Sequence, residues 1–405
     1  MGWVTREAKA ARDRVPDRVA VGVLTKTFPP ERVDAAIEEA GAWEQRRRDL
    51  PARLMAYFTL AMWLWREHGY EEVLRQLTDG MAWTGLADDK LEQANTDVPF
   101  SGSITKARQR LGARPLELMF RQAAGPLGMP EMPGVFWRGR RLTAIDGFTL
   151  DVPDSPANRA AFGGPADGPF PQVRAVAHAE VGTRGLIDAA FDSVDTGEQT
   201  LAHRLSGSLA ADMLVICDRA FAGYGLWEQL AATGADLLVR MSASFTLPVI
   251  EVLADGSYLS VLRAPGKPPI TVRVIEYTVI TTAAGEAGGT RQVSELFCLA
   301  TTMTDPHSAP MEEIPGLYAQ RWEGETVIDA VKTTLRGGIG VRLRSATPAG
   351  VRQELWALLC VYQALSELIV GAAHRHRVDA DQVSFVRARD LARRSVHWID
   401  AAFSP

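Results

Sequence analysis

The sequence predicts a mixed α/β protein in which helices dominate the first 125 residues, strands and helices alternate afterwards, and a β-rich segment interrupts the alternation. Three observations carry this expectation. Helical segments punctuated by Pro and Gly fill the chain to about residue 125. Short apolar runs of strand length begin after Arg140. Between 244 and 293 β-branched residues dominate, broken by Gly and Pro turns. At 405 residues, 46% apolar and 23% charged, the chain has ordinary globular composition, which excludes disorder and points to two or three domains.

Pro29-Pro30 opens a helix over Glu31–Ala40, with acids in its first turn. Ala52–His68 is a long apolar helix stopped by Gly69. Tyr70–Thr78 follows, closed by Asp79-Gly80, and Ser103–Leu111 and Pro115–Ala123 pair around Gly112. Leu142–Val152, Val173–Val181 and Leu186–Val194 are strands, the last two joined by the turn Gly182–Gly185. Met213–Cys217 is apolar throughout, as a central buried strand is. Helices Gly197–Leu209 and Leu226–Ala232 flank it, and Asp236–Arg240 is a further strand. Phe245–Leu253, Tyr258–Leu262 and Ile270–Ile280 are the strands of the β-rich segment, after which Leu296–Thr301 returns to the sheet. Pro315 opens a helix expected to run to Leu335 and stop at Gly337-Gly338, and Ser345–Val370 is a second strong helix. The domain boundaries predicted are therefore 1–125 (helical), 138–243 with 294–370 (mixed sheet), 244–293 (β-rich insertion) and 371–405 (basic tail).

Composition narrows the function classes. The net charge of −5 argues against coating nucleic acid by bulk charge, yet leaves room for a local basic surface. Of the 44 basic residues 38 are Arg, which suits forked phosphate contacts and also follows from a GC-rich genome. Cys217, Cys298 and Cys360 are far apart and show no zinc or disulfide spacing. The first 18 residues lack a secretory pattern, and the apolar run Leu54–Trp65 is too short to span a bilayer. A cytoplasmic protein without a membrane partner is the expectation.

Chemistry concentrates in the helix opened by Pro315. Tyr318, Arg321, Glu325 and Lys332 fall at about 0°, −60°, −20° and −40° on an ideal helix. A stripe of ring, cation, carboxylate and cation packs poorly in a core and suits a phosphodiester, although a solvated face with an Arg321–Glu325 pair would also produce it. Two further carboxylates weigh against that plainer reading. Asp146 follows the apolar start of one strand, and Asp218 ends Met213–Cys217. A carboxylate at a buried strand end must be paired or bound to a cation. Three such groups converging on two divalent ions roughly 4 Å apart would serve in-line phosphoryl displacement, and hard oxygen donors favour Mg²⁺. The basic helix end Thr105–Gly112 offers Lys106, Arg108 and Arg110 to a phosphate backbone, although an ordinary solvated face would carry the same residues. His178, His203 and His307 are scattered and read as structural, and Trp322, beside the stripe, reads as core.

These residues resemble the DDE transposases of bacterial insertion sequences, in the group that carries an inserted β-domain and a Tyr-x2-Arg-x3-Glu-x6-Lys signature. Tyr318, Arg321, Glu325 and Lys332 fit that signature without gaps. Ala144–Phe148, Cys217–Phe221, Arg344–Trp356 and Ala107–Gly112 extend the likeness along nearly the whole chain. The resemblance implies an RNase H-like catalytic domain with Asp146, Asp218 and Glu325 as ligands of two Mg²⁺ ions, with Mn²⁺ as a substitute. It also implies a helical N-terminal region that binds double-stranded DNA at the terminal inverted repeats, joining of freed 3′ ends to target DNA, and a homodimer on paired ends. Relatives that cleave through a hairpin use a Trp of the insertion to take a flipped base. Residues 244–293 contain no Trp, leaving Phe245, Tyr258 or Tyr277 as candidates. Where the family often has Gly after the Asp-Arg pair, this chain has Ala220.

Overall fold

The computed structural model describes residues 22–46, 48–77, 99–165, 168–284, 290–335 and 341–394. Helices α1 (Gly22–Thr27), α2 (Pro30–Glu39), α3 (Ala52–Leu64), α4 (Tyr70–Leu77), α5 (Ser101–Leu111) and α6 (Arg114–Ala123) come first. Strands β1 (Phe136–Trp137) and β2 (Arg140–Asp151) follow, then α7 (Pro156–Phe162), β3 (Gln172–Glu180), β4 (Leu186–Ser193), α8 (Glu198–His203), β5 (Met213–Cys217), α9 (Tyr224–Ala231) and β6 (Asp236–Arg240). Next are β7 (Glu251–Val252), β8 (Tyr258–Leu262), β9 (Ile270–Ala284) and β10 (Thr290–Thr301). Helices α10 (Ile314–Ala319), α11 (Arg321–Asp329), α12 (Pro348–His376) and α13 (Phe385–Arg394) complete the described chain. The expected stops at Asp79-Gly80 and Gly337-Gly338, and the end of the tail, lie outside the described residues.

The chain divides into two compact units. The first gathers residues 1–127, 150–173 and 329–405. Its centre is α12, started by Pro348 in the first turn and by Thr347, whose hydroxyl accepts the Gly350 N–H at 3.3 Å. By length and composition α12 could cross a membrane, but 78% of its most apolar stretch is buried inside the protein. Helix α3 is buried along nearly its whole length, and its Trp63 indole donates to the Glu354 carbonyl of α12 at 2.9 Å. Helices α1 to α6 share this unit with α7, α12 and α13, and α12 is buried over most of its length. Helix α12 also runs six residues past the boundary expected at 370.

The second unit, residues 128–149 and 174–328, holds most of the sheet; β2 and β3 run across the division. Among the described residues the strand order is β4-β3-β2-β5-β6-β10-β9-β8-β7, with β1 pairing with β2. Strands β2, β5 and β6 are mutually parallel, and β10 is antiparallel to β6. Strand β5 is buried at all five positions. Its side chains alternate between two cores: Val215 and Cys217 pack with Leu226, Trp227 and Leu230, whereas Leu214 and Ile216 pack with Leu299, Ile314 and Leu317.

Two expectations fail here for physical reasons. The β-rich segment is continuous with the sheet, because β10 starts at Thr290 and pairs with β9 along its length and with β6 at its end. Phe245–Leu253 forms only the two-residue edge strand β7; Pro248 interrupts the run, and Val249, Ile250 and Val252 are exposed. The helix expected over Pro315–Leu335 is also not one helix. It tightens at Gln320, where N–H groups reach back three residues, and opens into a π-helical turn over Ala330–Leu335. Lys332 stands on that turn, half-buried and in the first unit, so the even phase assumed for the four-residue stripe does not reach it.

Candidate active site

The strand pairing builds the site. Ile145 of β2 lies opposite Cys217 of β5, and Cys217 lies opposite Val239 of β6. Continuing both registers by one residue sets Asp146, Asp218 and Arg240 in a row where the apolar runs end. The carboxyl ends of parallel strands are where open α/β sheets bind ligands. Asp146 accepts the N–H of Gly147 at 2.8 Å, and Asp218 accepts that of Arg219. Both carboxylates are partly exposed. The buried Cys217 thiol is pushed up to about 12, first by burial and then by Asp146 and Asp218, so it stays a thiol beneath two carboxylates.

Helices α10 and α11 bring Tyr318 and Arg321 to this row. Arg321 Nη1 lies 3.7 Å from Asp146 Oδ2. Tyr318 is 3% exposed, and its hydroxyl has no hydrogen-bond partner among the described residues. Burial raises its pKa; nearby Arg321 opposes the rise and Asp218 adds to it. Glu325 follows Gly324 on α11, and its side chain lies outside the described residues. Gly324 sets how near α11 comes to β2: a Cβ there would stand 3.3 Å from the Ala144 Cβ, two residues before Asp146. Among the described residues no three His, Cys, Asp or Glu side chains form a metal-holding group. The Asp146–Asp218 pair is nevertheless suited to a divalent cation: hard oxygen donors side by side, with Arg321 beside Asp146 as the paired cation.

Several neighbours escaped the sequence reading. The Arg240 guanidinium lies 4.0 Å from the Phe297 ring centroid; Phe297 stacks on Tyr277 at 5.2 Å and meets Tyr318 edge-on at 6.1 Å. The parallel register could have revealed Arg240, since Asp218 and Arg240 are each the first charge after an apolar strand. Glu198 stands against Gly147, where a Cβ would lie 2.5 Å from its Oε1; nothing in its sequence context marks it. Glu323 pairs with Arg184 at 2.6 Å. Trp322, expected in the core, is 63% exposed, with Arg321 5.7 Å from its ring.

The stacking candidates separate by face. Phe245 and Tyr258 line a cavity of about 470 Å³ with Arg219 and Arg240, whereas Tyr277 belongs to the Phe297–Tyr318 ladder on the opposite face of β9 and β10. The basic helix end also divides. Lys106 and Arg110 are exposed. Arg108 is a correction: it is 5% exposed and spends its guanidinium on Tyr70 at 2.7 Å, Gln353 at 3.1 Å and Glu354 at 3.6 Å. It sits on the inward face of α5 with Ile104 and Leu111, one position that helical phase assigns to the interior. His178 is fully buried and held down to about 3 by that burial, with Nδ1 2.8 Å from the Ser208 hydroxyl.

Comparison with known proteins bears on what this row of residues does. The family model described as "Transposase DDE domain" matches residues 137–364, and that described as "Insertion element 4 transposase N-terminal" matches residues 18–121. The transposase InsG for insertion sequence element IS4 of Escherichia coli (strain K12) is 27% identical over 389 residues, covering 92% of this chain and 82% of that protein. The putative transposase InsZ of the same organism is 28% identical over 204 residues, 49% of this chain and 64% of that protein. A solved structure of piggyBac transposase in a synaptic complex with hairpin DNA is 11% identical with a TM-score of 0.46, covering 95% of this chain and 81% of that chain, a likeness too distant to carry an argument.

Proposed function

The chain belongs to the IS4 group of DDE transposases and is a DNA transposase, and on that premise we propose that Asp146, Asp218 and Glu325 are its catalytic carboxylates. The single observation that carries the assignment is the register that sets Asp146 beside Asp218, with Arg321 of the signature helix 3.7 Å from Asp146. The three carboxylates would hold two Mg²⁺ ions, or Mn²⁺ in their place, which would supply activation of the attacking oxygen and charge stabilisation of the leaving one. The surrounding sheet is of RNase H-like type.

The chain's own residues supply positioning and charge. The backbone N–H groups of Gly147 and Arg219 each hold one oxygen of an aspartate. Arg321 keeps Asp146 in place and neutralises phosphate charge as it builds. Tyr318 brings a buried hydroxyl that a phosphate oxygen of the strand beside the cut can satisfy. Lys332 holds a flanking phosphate. A base leaving the duplex during cleavage enters the cavity between Phe245 and Tyr258. Lys106 and Arg110 contact DNA at the terminal inverted repeats, the protein acts as a homodimer on paired ends, and joining couples each freed 3′ end to target DNA.

The test uses purified protein and a labelled duplex carrying the element's own terminal repeat. Wild type is compared with Glu325→Gln, with and without Mg²⁺. Cleaved and joined strands that require both Mg²⁺ and Glu325 are expected. Cleavage without joined product would reduce the protein to a nuclease, and binding without cleavage in both proteins would reduce it to a silent DNA-binding relative.

A further inference from the structure

Helix α11 is short, and its neighbours along the chain do not fix its rotation about its own axis. The chain tightens at Gln320 before it, and a π-helical turn follows Asp329. Arg321, Gly324 and Glu325 share one face of α11 by their i, i+3, i+4 spacing. That face meets β2, with Arg321 beside Asp146 and Gly324 against Ala144. Contacts along one line leave a helix free to roll. Glu323, about 100° round from Gly324, makes a contact off that line. Its Oε2 accepts the Arg184 Nε–H at 2.7 Å and lies 2.6 Å from Nη2 of the same guanidinium.

Arg184 belongs to the turn between β3 and β4 and has a φ of 58°. That is left-handed backbone, which favours Gly. The turn is fastened from beneath. Glu180, fully buried, accepts the Gly128 N–H at 2.7 Å, the Arg141 guanidinium and the Thr183 hydroxyl. Thr183 accepts the Gly185 N–H at 3.3 Å, and the Val181 N–H donates to the Leu142 carbonyl at 2.9 Å. Arg141 and Leu142 are on β2. A second route, through Glu180 and Arg184, therefore ties α11 to the strand that carries Asp146.

Stability alone does not account for an Arg at this position. Both partners of the Arg184–Glu323 pair are about a quarter exposed, and such a pair contributes little. The backbone strain costs at least as much, and Gly would remove it. We propose that Arg184 is a positioning residue for the third carboxylate: through Glu323 it fixes the roll of α11, and with it the direction from which Glu325 meets Asp146 and Asp218. The inference rests on the assignment of Glu325 made above and extends the positioning machinery to the β3–β4 turn.

The test measures melting temperature, affinity for the terminal-repeat duplex and single-turnover cleavage at saturating DNA with Mg²⁺. The proteins are wild type, Glu325→Gln, Arg184→Gly, Glu323→Ala and the double variant Arg184→Gly with Glu323→Ala. Arg184→Gly is expected to keep or raise the melting temperature, to leave affinity unchanged and to slow cleavage about tenfold. Glu323→Ala should slow cleavage equally, and the double variant no further, because each single change removes the same tether. Should Arg184→Gly fail to fold, Glu323→Ala, at a half-exposed helix position, carries the test by the same split between affinity and rate. A lowered melting temperature with a normal rate would make the pair merely structural and overturn the proposal. Additive losses in the double variant would overturn it too. So would a loss of affinity in Arg184→Gly that Glu323→Ala does not share, which would make Arg184 a DNA contact. Retained cleavage in Glu325→Gln would instead sink the assignment of Glu325 itself; with that variant silent, wild-type rates in the others sink the inference alone.

Discussion

Glu354 in the first unit and the Asp146–Asp218 pair in the second are both carboxylates in the interior half of a fold, and they are treated in opposite ways. Glu354 is fully buried and receives a backbone N–H, a hydroxyl and two guanidinium groups. Asp146 and Asp218 stand side by side, each held on one oxygen by the next residue's N–H, with Arg321 3.7 Å from Asp146. A saturated carboxylate is scaffold, since a ligand has nothing left to bind. The Asp146–Asp218 pair is partly exposed and, on the proposed assignment, is held for a cation. Saturation with donors sets Glu354 apart from it.

Substitution should divide them most sharply. Glu354→Gln leaves two buried guanidinium groups short of a counter-charge and should cost about 3–5 kcal/mol of stability. Asp218→Asn removes like-charge repulsion and should leave the denaturant midpoint unchanged or raised, while cleavage falls more than about a hundredfold. Chemical denaturation and the terminal-repeat cleavage assay read both. An Asp218→Asn protein as destabilised as Glu354→Gln would break the distinction.

His178 shows that a scaffold role is not confined to the first unit. It lies in the second unit, yet it is scaffold: buried, neutral, bonded to Ser208 and held down to about 3. Its folded pKa is below the unfolded value of about 6.5. The unfolded chain therefore takes the proton first as pH falls, and stability is lost progressively between about 6.5 and 3. At pH 5 the loss is on the order of 2 kcal/mol. His178→Asn should narrow the stability gap from wild type by that amount between pH 7 and pH 5, and a constant gap would remove the burial account.

How much of this was legible beforehand depends on the range of each signal. Met213–Cys217, Asp236–Arg240 and Tyr258–Leu262 were placed to the residue, because short apolar runs bounded by charge and turn residues are local signals. Asp146 and Asp218 stood out for the same reason. Arg240 did not, since its role appears only once β5 and β6 are in register. Arg108 and Lys106 are both basic and two apart, so they face opposite ways from one helix, and composition alone cannot choose between them. Trp322 was misjudged because an aromatic beside a site is usually core. The π-helical turn under Lys332 has no sequence mark that periodicity can detect.

Tyr318→Phe sharpens the comparison from the ring side. The hydroxyl is buried and has no partner among the described residues. Deleting it should raise stability by up to about 1 kcal/mol, since an unsatisfied polar group is removed. Cleavage should fall at the same time, because the phosphate oxygen loses its donor. A drop in stability would mean that the hydroxyl serves the free protein and has no reserve for DNA.

The smallest expected effect on stability tests the closest approach. At Gly324 an added methyl would meet the Ala144 Cβ at 3.3 Å, tighter than ordinary contact. Two opposing terms follow from Gly324→Ala. A helix interior gains about 0.5–1 kcal/mol when Gly becomes Ala. The methyl pair must separate by a few tenths of an ångström, which costs a comparable amount. Stability should therefore stay within about 1 kcal/mol of wild type. Catalysis has no such compensation, because the shift moves α11, and with it the backbone of Glu325, away from the strand that carries Asp146. A fall in cleavage of about tenfold is expected from so small a misplacement. Ala144→Gly removes the opposing methyl, so the double variant should recover most of the lost activity although each single variant loses some. Additive losses in that cycle would show that Gly324 acts elsewhere, and the distance between α11 and β2 would then have no bearing on the chemistry.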